Sequence, residues 1–440
     1  MAAPDLLGAP QDLEISAEVP VTPLGEGKAL VLISFGTFGA MSIWFVASAI
    51  LTPLKEEWQI SDVQASFLTS VVNLGFCIGC FCSALLNLAD VVPPPKLMAV
   101  GGSLAAAANS CLLLVHGLSG ALLARFVVGL GLALVYPPSV KLISTWFAAD
   151  RRSSAIGVMF AFFCLGSAFP QLLYSLAEEF SWRGVVAVSS VLGLLAVLMI
   201  YAMVEIGPFA FPSSNFNARK VLSIFQNRHV TLSILAYCGH QWELFCVWAW
   251  ASEFFEHIWN MSHQSAHIWA FIIISLGGPG SWLGGKLGDR FGRSTAAMIM
   301  VTTSGFCTLV LGLLDDYWPF GVWISICVLW GLTALADSPN YSTLVTIHAE
   351  QSLGKHVAVY FLASSSKDLS KGLACPRSSV GTALTVQLFC GYLATILALY
   401  LVPRLSADWS WRWSLTSLSV GPCLSVLALM ALNPKPQNEI

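Results

Sequence analysis

Long apolar runs, separated by short polar breaks, occupy the chain from about residue 28 onwards. A helix needs roughly 20 apolar residues to cross the hydrocarbon core of a bilayer, and each run is about that long. The runs are continuous rather than alternating, which favours helices over the strands of a membrane barrel. They predict twelve membrane-spanning helices, at 28–51, 64–86, 96–116, 119–145, 153–177, 184–205, 229–253, 266–285, 294–314, 317–346, 379–402 and 412–432.

The polar breaks divide these helices into two groups of six. The longest well-populated break in the middle of the chain carries prolines, serines and basic residues. Two echoes relate the halves: "FSWRG" enters the sixth helix as "WSWRW" enters the twelfth, and Asp90 follows helix two as Asp289 follows helix eight. The sequence therefore predicts an all-α membrane protein built from two pseudo-symmetric six-helix bundles. Its expected parts are a cytoplasmic tail at 1–27, a first bundle at 28–205, a cytoplasmic linker at 206–228, a second bundle at 229–432 and a tail at 433–440.

Composition and charge fix the setting and the orientation of these helices. Hydrophobic residues make up 56% of the 440 residues and charged residues 10%, which excludes a water-soluble globular domain. Residues 1–27 lack the basic segment and short apolar core of a cleavable signal peptide. The loops on one side hold thirteen Lys and Arg residues against four on the other, which predicts that both termini are cytoplasmic. We expect a plasma-membrane protein, with an organelle membrane as the alternative.

Two stretches resemble motifs of a known family. "GKLGDRFGRS" at 285–294 resembles the loop signature of the major facilitator superfamily, and "RFVVGLGLALVYP" at 125–137 resembles its fourth-helix motif. With the twelve-helix layout, the resemblance covers 28–432 and implies secondary active transport by alternating access. The sequences of helices four, five and seven are similar to those of the nitrate/nitrite-porter and cyanate-porter branches. The doubled glycine–asparagine signature of true nitrate porters is missing.

The loop after helix eight is predicted to gate the transporter. Its glycines allow neighbouring helix ends to approach closely, and its aspartate can accept bonds from nearby arginines or a helix N-terminus across the gap between the halves. The alternative is that topology alone makes a short cytoplasmic loop basic and glycine-rich. The equivalent loop in the first half keeps the aspartate but lacks the glycine and both arginines. The predicted gating residues are Gly285, Gly288, Asp289, Arg290 and Arg293, with Asp90 in the first half.

Arg125 lies inside the fourth helix, at a depth of about 9 Å at 1.5 Å per residue. A guanidinium group at that depth costs several kcal/mol unless it has a partner or water, because hydrocarbon solvates charge poorly. We therefore predict that Arg125 takes part in substrate binding or proton coupling. The alternative is that its side chain extends to the outer surface.

The seventh helix contains "CGHQWELFCVWAW" at 238–250, with two ionisable residues inside an apolar run. At about 100° per residue, Tyr237, His240, Glu243 and Trp250 fall within one arc of roughly 140°. This arc is predicted to face a central cavity, where a histidine and a glutamate one turn apart can share a proton. The alternative is that the two residues only hydrogen-bond each other and hold helices together.

The tenth helix contains "ADSPNYS" at 336–342. Pro339 removes a helix bond to the carbonyl of Leu335, and Asp337 and Asn340 lie one turn apart. Polar groups beside a broken helix are typical of binding sites near the bilayer midplane. We therefore add Asp337 and Asn340 to the predicted substrate or proton pathway.

The sequence predicts no enzyme, cofactor or metal site. It contains no G-x-S-x-G, H-E-x-x-H or phosphate-loop motif. The twelve cysteines, including "CIGCFC" at 77–82, fall mostly within helices and suit helix packing.

The predicted function is secondary active transport of a small inorganic or organic anion, with proton coupling as an option. Two alternatives stay open: transport of an uncharged or cationic metabolite, and a non-transporting sensor on the same fold. The expected partners are a small-molecule substrate, the lipid bilayer and protons, with no nucleic acid, and we expect a monomer. The sequence leaves open the substrate, the direction of transport, the coupling ion and the role of the long loop at 351–378.

Overall fold

The computed structural model describes residues 24–86, 88–176, 181–209, 224–314, 318–349 and 378–432. The predicted long loop, the C-terminal tail, and most of the N-terminal tail and linker lie outside these residues. The fold is all-helical, as predicted. We number its main helices α1 to α12: Glu26–Ser42 continued by Val46–Ala49 and Leu51–Trp58, Asp62–Leu85, Pro94–Ser110, Leu118–Trp146, Ala149–Leu176, Trp182–Met203, Arg228–Trp259, His263–Phe291, Arg293–Leu313, Phe320–Ala349, Ser378–Asp408 and Trp411–Leu432.

Ten helices in the described part of the chain are long and apolar enough to cross a membrane. The other two of the twelve are α1 and α7, which are the first helices of the two halves. Turns divide α1 at 43–45 and at Ile50, whereas α7 is one continuous helix of 32 residues, or about 48 Å. Most of the α7 side chains are buried, including two glutamates and a histidine, which places this helix inside the bundle.

The packing of the first half recurs in the second half, six helices later. In the first half α1 packs on α5 and α6, α3 packs on α4 and α6, and α2 packs on α4. In the second half α7 packs on α11 and α12, α9 packs on α10 and α12, and α8 packs on α10. The two largest contacts between halves, α2 with α11 and α5 with α8, are related by the same repeat. This pattern is the two-bundle pseudo-symmetry that the sequence predicts.

Glycines bring equivalent helices into backbone contact in both halves. A Cβ atom on Gly129 of α4 would overlap the carbonyl oxygen of Val72 in α2. A Cβ atom on Gly284 of α8 would overlap the carbonyl oxygen of Ala336 in α10. The prediction assigned close approach to Gly285 and Gly288. A Cβ atom on Gly288 would overlap the Asn340 side chain of α10, but the prediction was wrong for Gly285, because a Cβ atom there would meet only open space. The contact belongs to the preceding residue, which lies about 100° further around the helix.

The Trp-Arg pairs of the two repeated sequences, at 182–183 and 411–412, lie at the start of the last helix in each half. Arg183, in the first turn of α6, donates to both carboxylate oxygens of Glu57 at 2.6 and 3.2 Å. Arg412, in the first turn of α12, donates to the carbonyl of Leu314 just after α9. Each arginine thus ties the start of the last helix in its half to the end of a neighbouring helix.

Candidate functional site

A cavity of about 30 Å³ lies between the two halves. This volume accommodates only a few water molecules, so the cavity is small. Aromatic rings dominate its wall, and none of the described residues that line it carries a charged side chain. The lining comprises Tyr136, Phe160 and Phe163 from the first half and Tyr237, Gln241, Leu244, Phe245, Trp248, Leu335, Ser338 and Tyr392 from the second.

Two broken helices bring residues to this cavity. Helix α4 is interrupted at 133–135, and Tyr136 begins its second part. Helix α10 is interrupted at 334–337, and Leu335 and Ser338 reach the cavity from this break. The carbonyl of Leu335 accepts a bond from the hydroxyl of Ser281 at 3.3 Å. Ser281 thereby supplies a donor to the carbonyl that Pro339 leaves without its helix partner.

His240 and Asp337 form a buried pair behind the cavity wall. The His240 Nδ1 atom lies 2.8 Å from the Asp337 Oδ1 atom, and each side chain is only 1% exposed. The approach lacks hydrogen-bond geometry, and among the described residues His240 Nε2 has no hydrogen-bond partner either. The ring of Tyr237, which lines the cavity, lies 6.0 Å from the His240 ring. Tyr237 thus lines the cavity and also lies near a buried pair whose hydrogen-bonding capacity is not fully used.

Glu243 is buried in a separate set of contacts within the second half. Its carboxylate accepts bonds from the Ser304 hydroxyl at 2.6 Å and from the Trp330 Nε1 atom at 2.8 Å. The predicted sharing of a proton between His240 and Glu243 does not fit this arrangement. Three residues along a helix leave side chains about 60° apart, and the two residues here face different neighbours.

The predicted polar face of α7 is only partly the face that lines the cavity. Tyr237 reaches the cavity, but Trp250 packs on Trp411 of α12 with ring centroids 5.8 Å apart. The α7 lining residues that the prediction missed are uncharged and follow Tyr237 at intervals of three and four residues. Helical spacing from Tyr237 would have indicated them: Gln241, Leu244, Phe245 and Trp248.

Arg125 is fully buried, and its donors are bonded to the protein itself. Its guanidinium donates to the carbonyl of Ile43 and the side-chain oxygen of Asn109, both at 3.0 Å, and also to the carbonyls of Trp44 and Leu68. The break in α1 at 43–45 frees backbone carbonyls, and Arg125 satisfies them. It is not among the described residues that line the cavity, so its predicted role in substrate or proton binding does not fit this geometry.

A polar bridge that the sequence did not reveal joins the two halves beside the cavity. The Trp44 Nε1 atom donates to the Asn73 side-chain oxygen at 3.0 Å, and the Asn73 amide donates to the Thr395 hydroxyl at 2.7 Å. The Trp44 ring also packs against Phe245 and Tyr392, which line the cavity. The bridge thus connects α1 and α2 with α11.

The predicted gating residues form a cluster within the second half. Asp289 pairs with Arg293, which donates to Asn340 and to the Gly285 carbonyl, both at 3.3 Å. Asn340 also donates to the Gly284 carbonyl at 3.1 Å, so it belongs to this cluster rather than to the cavity. Of the other predicted gating residues, Arg290 lies over the Phe291 ring, and a Cβ atom on Gly288 would contact Asn340 and Arg293. Asp90 belongs to the short helix Leu88–Val91 of the first half.

The prediction that the gating cluster bonds across the two halves is not met in this arrangement. Among the described residues, the hydrogen bonds and ion pairs of Asp289 and Arg293 stay within α8, α9 and α10. The reason is geometric, because Arg293 follows Asp289 by four residues across a single tight turn at Gly292, whose φ is 89°. The local partner therefore lies closer than any partner in the first half.

Residues 33–366 match the family model described as Major Facilitator Superfamily. The chain belongs to this superfamily. It is 25% identical to the probable L-galactonate transporter of Escherichia coli (strain K12) over 62% of this chain and 66% of the relative. It is 24% identical to the niacin transporter NiaP of Acinetobacter baylyi over 46% of this chain and 45% of the relative. The chain thus matches only part of the length of these curated relatives.

Solved structures show the same major facilitator fold. A bacterial homolog of the human lysosomal transporter Spinster, in an inward-facing conformation, aligns with a TM-score of 0.70 at 13% identity, covering 94% of this chain and 97% of that one. The D-xylose-proton symporter aligns with a TM-score of 0.69 at 15% identity, covering 92% and 96%. This member of the superfamily is a multi-pass membrane protein with the major facilitator fold.

Proposed function

We propose that the chain transports a small organic carboxylate together with a proton, by alternating access. The observation that carries the proposal is the aromatic cavity between the halves, with the His240–Asp337 pair directly behind its Tyr237 wall. The cavity supplies the surface for an organic body, and the pair supplies the site for a proton.

The lining favours an organic solute over nitrate, nitrite or cyanate. Aromatic rings present apolar edges and π faces, which stabilise flat or apolar groups by burial and stacking. A compact inorganic anion has little such surface and requires several charged or hydrogen-bonding donors. Here Arg125, the cation expected to serve such an anion, is bonded to α1 instead.

A proton compensates for the missing cation. Moving a carboxylate alone into a low-dielectric cavity without a positive side chain is costly, because nothing replaces its hydration. If a proton enters with it and occupies the His240–Asp337 pair, the added negative charge is offset, and the net charge near Tyr237 does not change. Gln241 and the hydroxyls of Tyr136 and Tyr237 then provide neutral donors for the carboxylate oxygens.

The relatives support the same chemical class. Their names specify L-galactonate and niacin, and both compounds are small organic acids. Niacin also has a flat aromatic ring, which suits the lining of Phe163, Phe245 and Trp248. An uncharged metabolite is the second candidate, because the lining itself carries no charge.

One end of the protein is closed by contacts between the halves. The Lys55 ammonium group lies 3.3 Å from the Glu253 carboxylate and 2.9 Å from that of Asp62, so it links α1 with α7. Thr52 also donates to Glu253, at 3.3 Å. In the predicted orientation this end faces outwards, and transport requires these bonds to break as the opposite end closes. We retain the proposals that both termini are cytoplasmic, in the plasma membrane, and that the protein works as a monomer.

Flux into reconstituted vesicles tests the proposal. Vesicles with an inward proton gradient are given labelled nicotinate, galactonate, xylose, proline or nitrate in turn, with protein-free vesicles as the control. We expect an organic carboxylate to accumulate above its equilibrium level and to leave when a protonophore collapses the gradient. Accumulation of only nitrate, or of only uncharged or cationic solutes, contradicts the carboxylate assignment. Absence of any flux across a broader panel favours a sensor.

A further inference from the structure

A carboxylate and two imidazoles meet where α7 turns into α8. Glu256 lies in the last turn of α7, and His263 and His267 lie one turn apart at the start of α8. Asn260 ends α7 in the left-handed conformation, with a φ of 51°, and so reverses the chain within a few residues. The tight reversal places all three side chains on one side of the connection.

The three side chains have the geometry of a metal site. Their ligand atoms all lie within 4.8 Å of one another. Glu256 Oε1 is 2.6 Å from His263 Nδ1 and 3.8 Å from His267 Nε2. In a tetrahedral zinc site, ligand atoms about 2.0–2.2 Å from the metal lie roughly 3.3–3.5 Å apart. Small side-chain rotations therefore suffice to place an ion between these atoms.

Gln171 of α5 orients His267 for this purpose. The His267 Nδ1 atom forms a short hydrogen bond with the Gln171 side-chain oxygen, and both side chains are buried. Donation from Nδ1 leaves the Nε2 lone pair directed at the Glu256 carboxylate, so two acceptors face each other. A cation between them removes this repulsion, and an outer hydrogen bond of this kind is typical of metal-binding histidines.

We propose that Glu256, His263 and His267 bind Zn²⁺, with water as the fourth ligand. Two imidazoles favour Zn²⁺ over Mg²⁺ or Ca²⁺, which prefer oxygen ligands. The cluster has an entry path, because His263 is 41% exposed whereas His267 is 3% exposed. Neither the sequence motifs nor the proposed transport chemistry accounts for these residues.

The site also lies against the first half. The ring of Tyr174 in α5 packs edge-on against both imidazoles, with centroids 5.0 and 4.9 Å away. A bound ion fixes the His267 tautomer that bonds to Gln171, and thereby strengthens the contact between α5 and α8. This end of the molecule must open during the proposed transport cycle. Zn²⁺ on this side, which is the outer side in the predicted orientation, therefore slows transport.

Binding of Zn²⁺ to the purified full chain tests the site without reference to transport. Protein in detergent is stripped with a chelator and titrated with zinc chloride by calorimetry, and calcium chloride serves as the comparison. We expect one tight Zn²⁺ site. His263→Asn and Glu256→Gln each weaken it by at least about tenfold, and Gln171→Leu weakens it by a similar factor through His267. His116→Asn, a change at an exposed histidine on the same predicted side, leaves it unaltered.

Two results overturn the metal site. The first is absence of a zinc-dependent heat in the wild-type protein, and the second is equal affinity in wild type and in the His263 and Glu256 variants, which places the ion elsewhere, for example on cysteines. If Zn²⁺ binds as expected but does not slow flux when it is added on the predicted outer side, the metal site stands and the proposed slowing of transport by Zn²⁺ is wrong. Failure of every tested solute to move leaves the calorimetric result intact, so the two proposals fail separately.

Discussion

Helices α4 and α10 occupy equivalent places in the two halves, and each is broken beside the cavity. They use their polar residues in opposite ways. On α4, Arg125 lies away from the cavity with its donors bonded to the broken α1, and only Tyr136 reaches the lining. On α10, Asp337 lies in the break itself and faces a histidine with an unbonded ring nitrogen.

The comparison shows that burial of a charge does not by itself mark a functional site. What separates the two residues is whether their hydrogen-bonding capacity is already used. A saturated group such as Arg125 stabilises one arrangement, because any change of partner leaves carbonyls unpaired. An incompletely bonded pair such as His240–Asp337 still has hydrogen-bonding atoms free to take a new partner. This contrast is the reason for the proposal that α4 serves as fixed scaffold and that α10 carries the proton site.

Replacing Arg125 gives the largest expected effect, on folding rather than on binding. Arg125→Leu leaves the carbonyls of Ile43 and Trp44 without their donors, and each unsatisfied buried group costs about 1–3 kcal/mol. We expect a loss of roughly 3 kcal/mol or more, seen as a large drop in melting temperature in detergent. Arg183→Leu, at a partly exposed arginine, is the control and should cost much less. A stable Arg125→Leu protein that no longer binds substrate reverses our assignment.

Asp337→Asn tests the proton assignment and should abolish uphill transport. Asparagine keeps the size of aspartate and an oxygen acceptor, but its amide does not bind and release a proton near neutral pH. We expect proton-driven accumulation to vanish while downhill exchange of labelled solute persists. Glu243→Gln, in the saturated contacts with Ser304 and Trp330, is the matched comparison and should retain accumulation. Accumulation lost in the Glu243 variant and kept in the Asp337 variant moves the proton site to Glu243.

Tyr136→Phe tests the role of α4 in the cavity and should have a moderate effect. The change removes one neutral donor worth about 1 kcal/mol and leaves the ring in place. We expect the concentration for half-maximal flux to rise several-fold, with dependence on the proton gradient unchanged. Tyr201→Phe, at an exposed tyrosine far from the lining, controls for general effects of the change. Loss of coupling in the Tyr136 variant means that α4 takes part in proton transfer as well.

Asp289→Asn should have the smallest effect on the protein itself. The Asp289 side chain is 68% exposed, and such a surface pair contributes less than about 1 kcal/mol to stability. If the cluster sets the rate of conformational exchange, turnover falls a few-fold at normal abundance and melting temperature. Stopped-flow or initial-rate flux at saturating solute measures this directly. Turnover equal to that of wild type removes the gating role.

The sequence predicts the fold well because each membrane helix corresponds to one continuous apolar segment of the chain. Apolar length locates helices such as α6 and α9, and the tryptophan–arginine echoes relate the halves without any contact being known. The site depends on contacts between distant helices, which periodicity does not specify. The arc through His240 and Glu243 is correct as helix geometry. It does not indicate that one faces Asp337 and the other faces Ser304.

The predicted site included several charged residues, whereas the described residues that line the cavity are neutral. Arg125 is prominent in the sequence because burying a guanidinium group is costly. Its partners, however, are backbone carbonyls freed by a break in α1, and the sequence does not predict that break. The lining residues Gln241 and Trp248 have no such prominence, since an amide or an aromatic ring in a membrane helix is common. Buried charged residues whose hydrogen bonds are all made therefore stand out in a sequence more than the neutral residues of a binding surface.

The backbone contacts at Gly129 and Gly284 bear on how force travels through the protein. Where one helix rests on the main chain of another, no side chain lies between them to rearrange and absorb a displacement. We therefore expect the helices of each pair, α2 with α4 and α8 with α10, to move together. In the proposed transport cycle, a shift at the Asp289 end of α8 would therefore reach the backbone of Ala336, next to Asp337 in the break of α10, with no side chain between the two helices to absorb it.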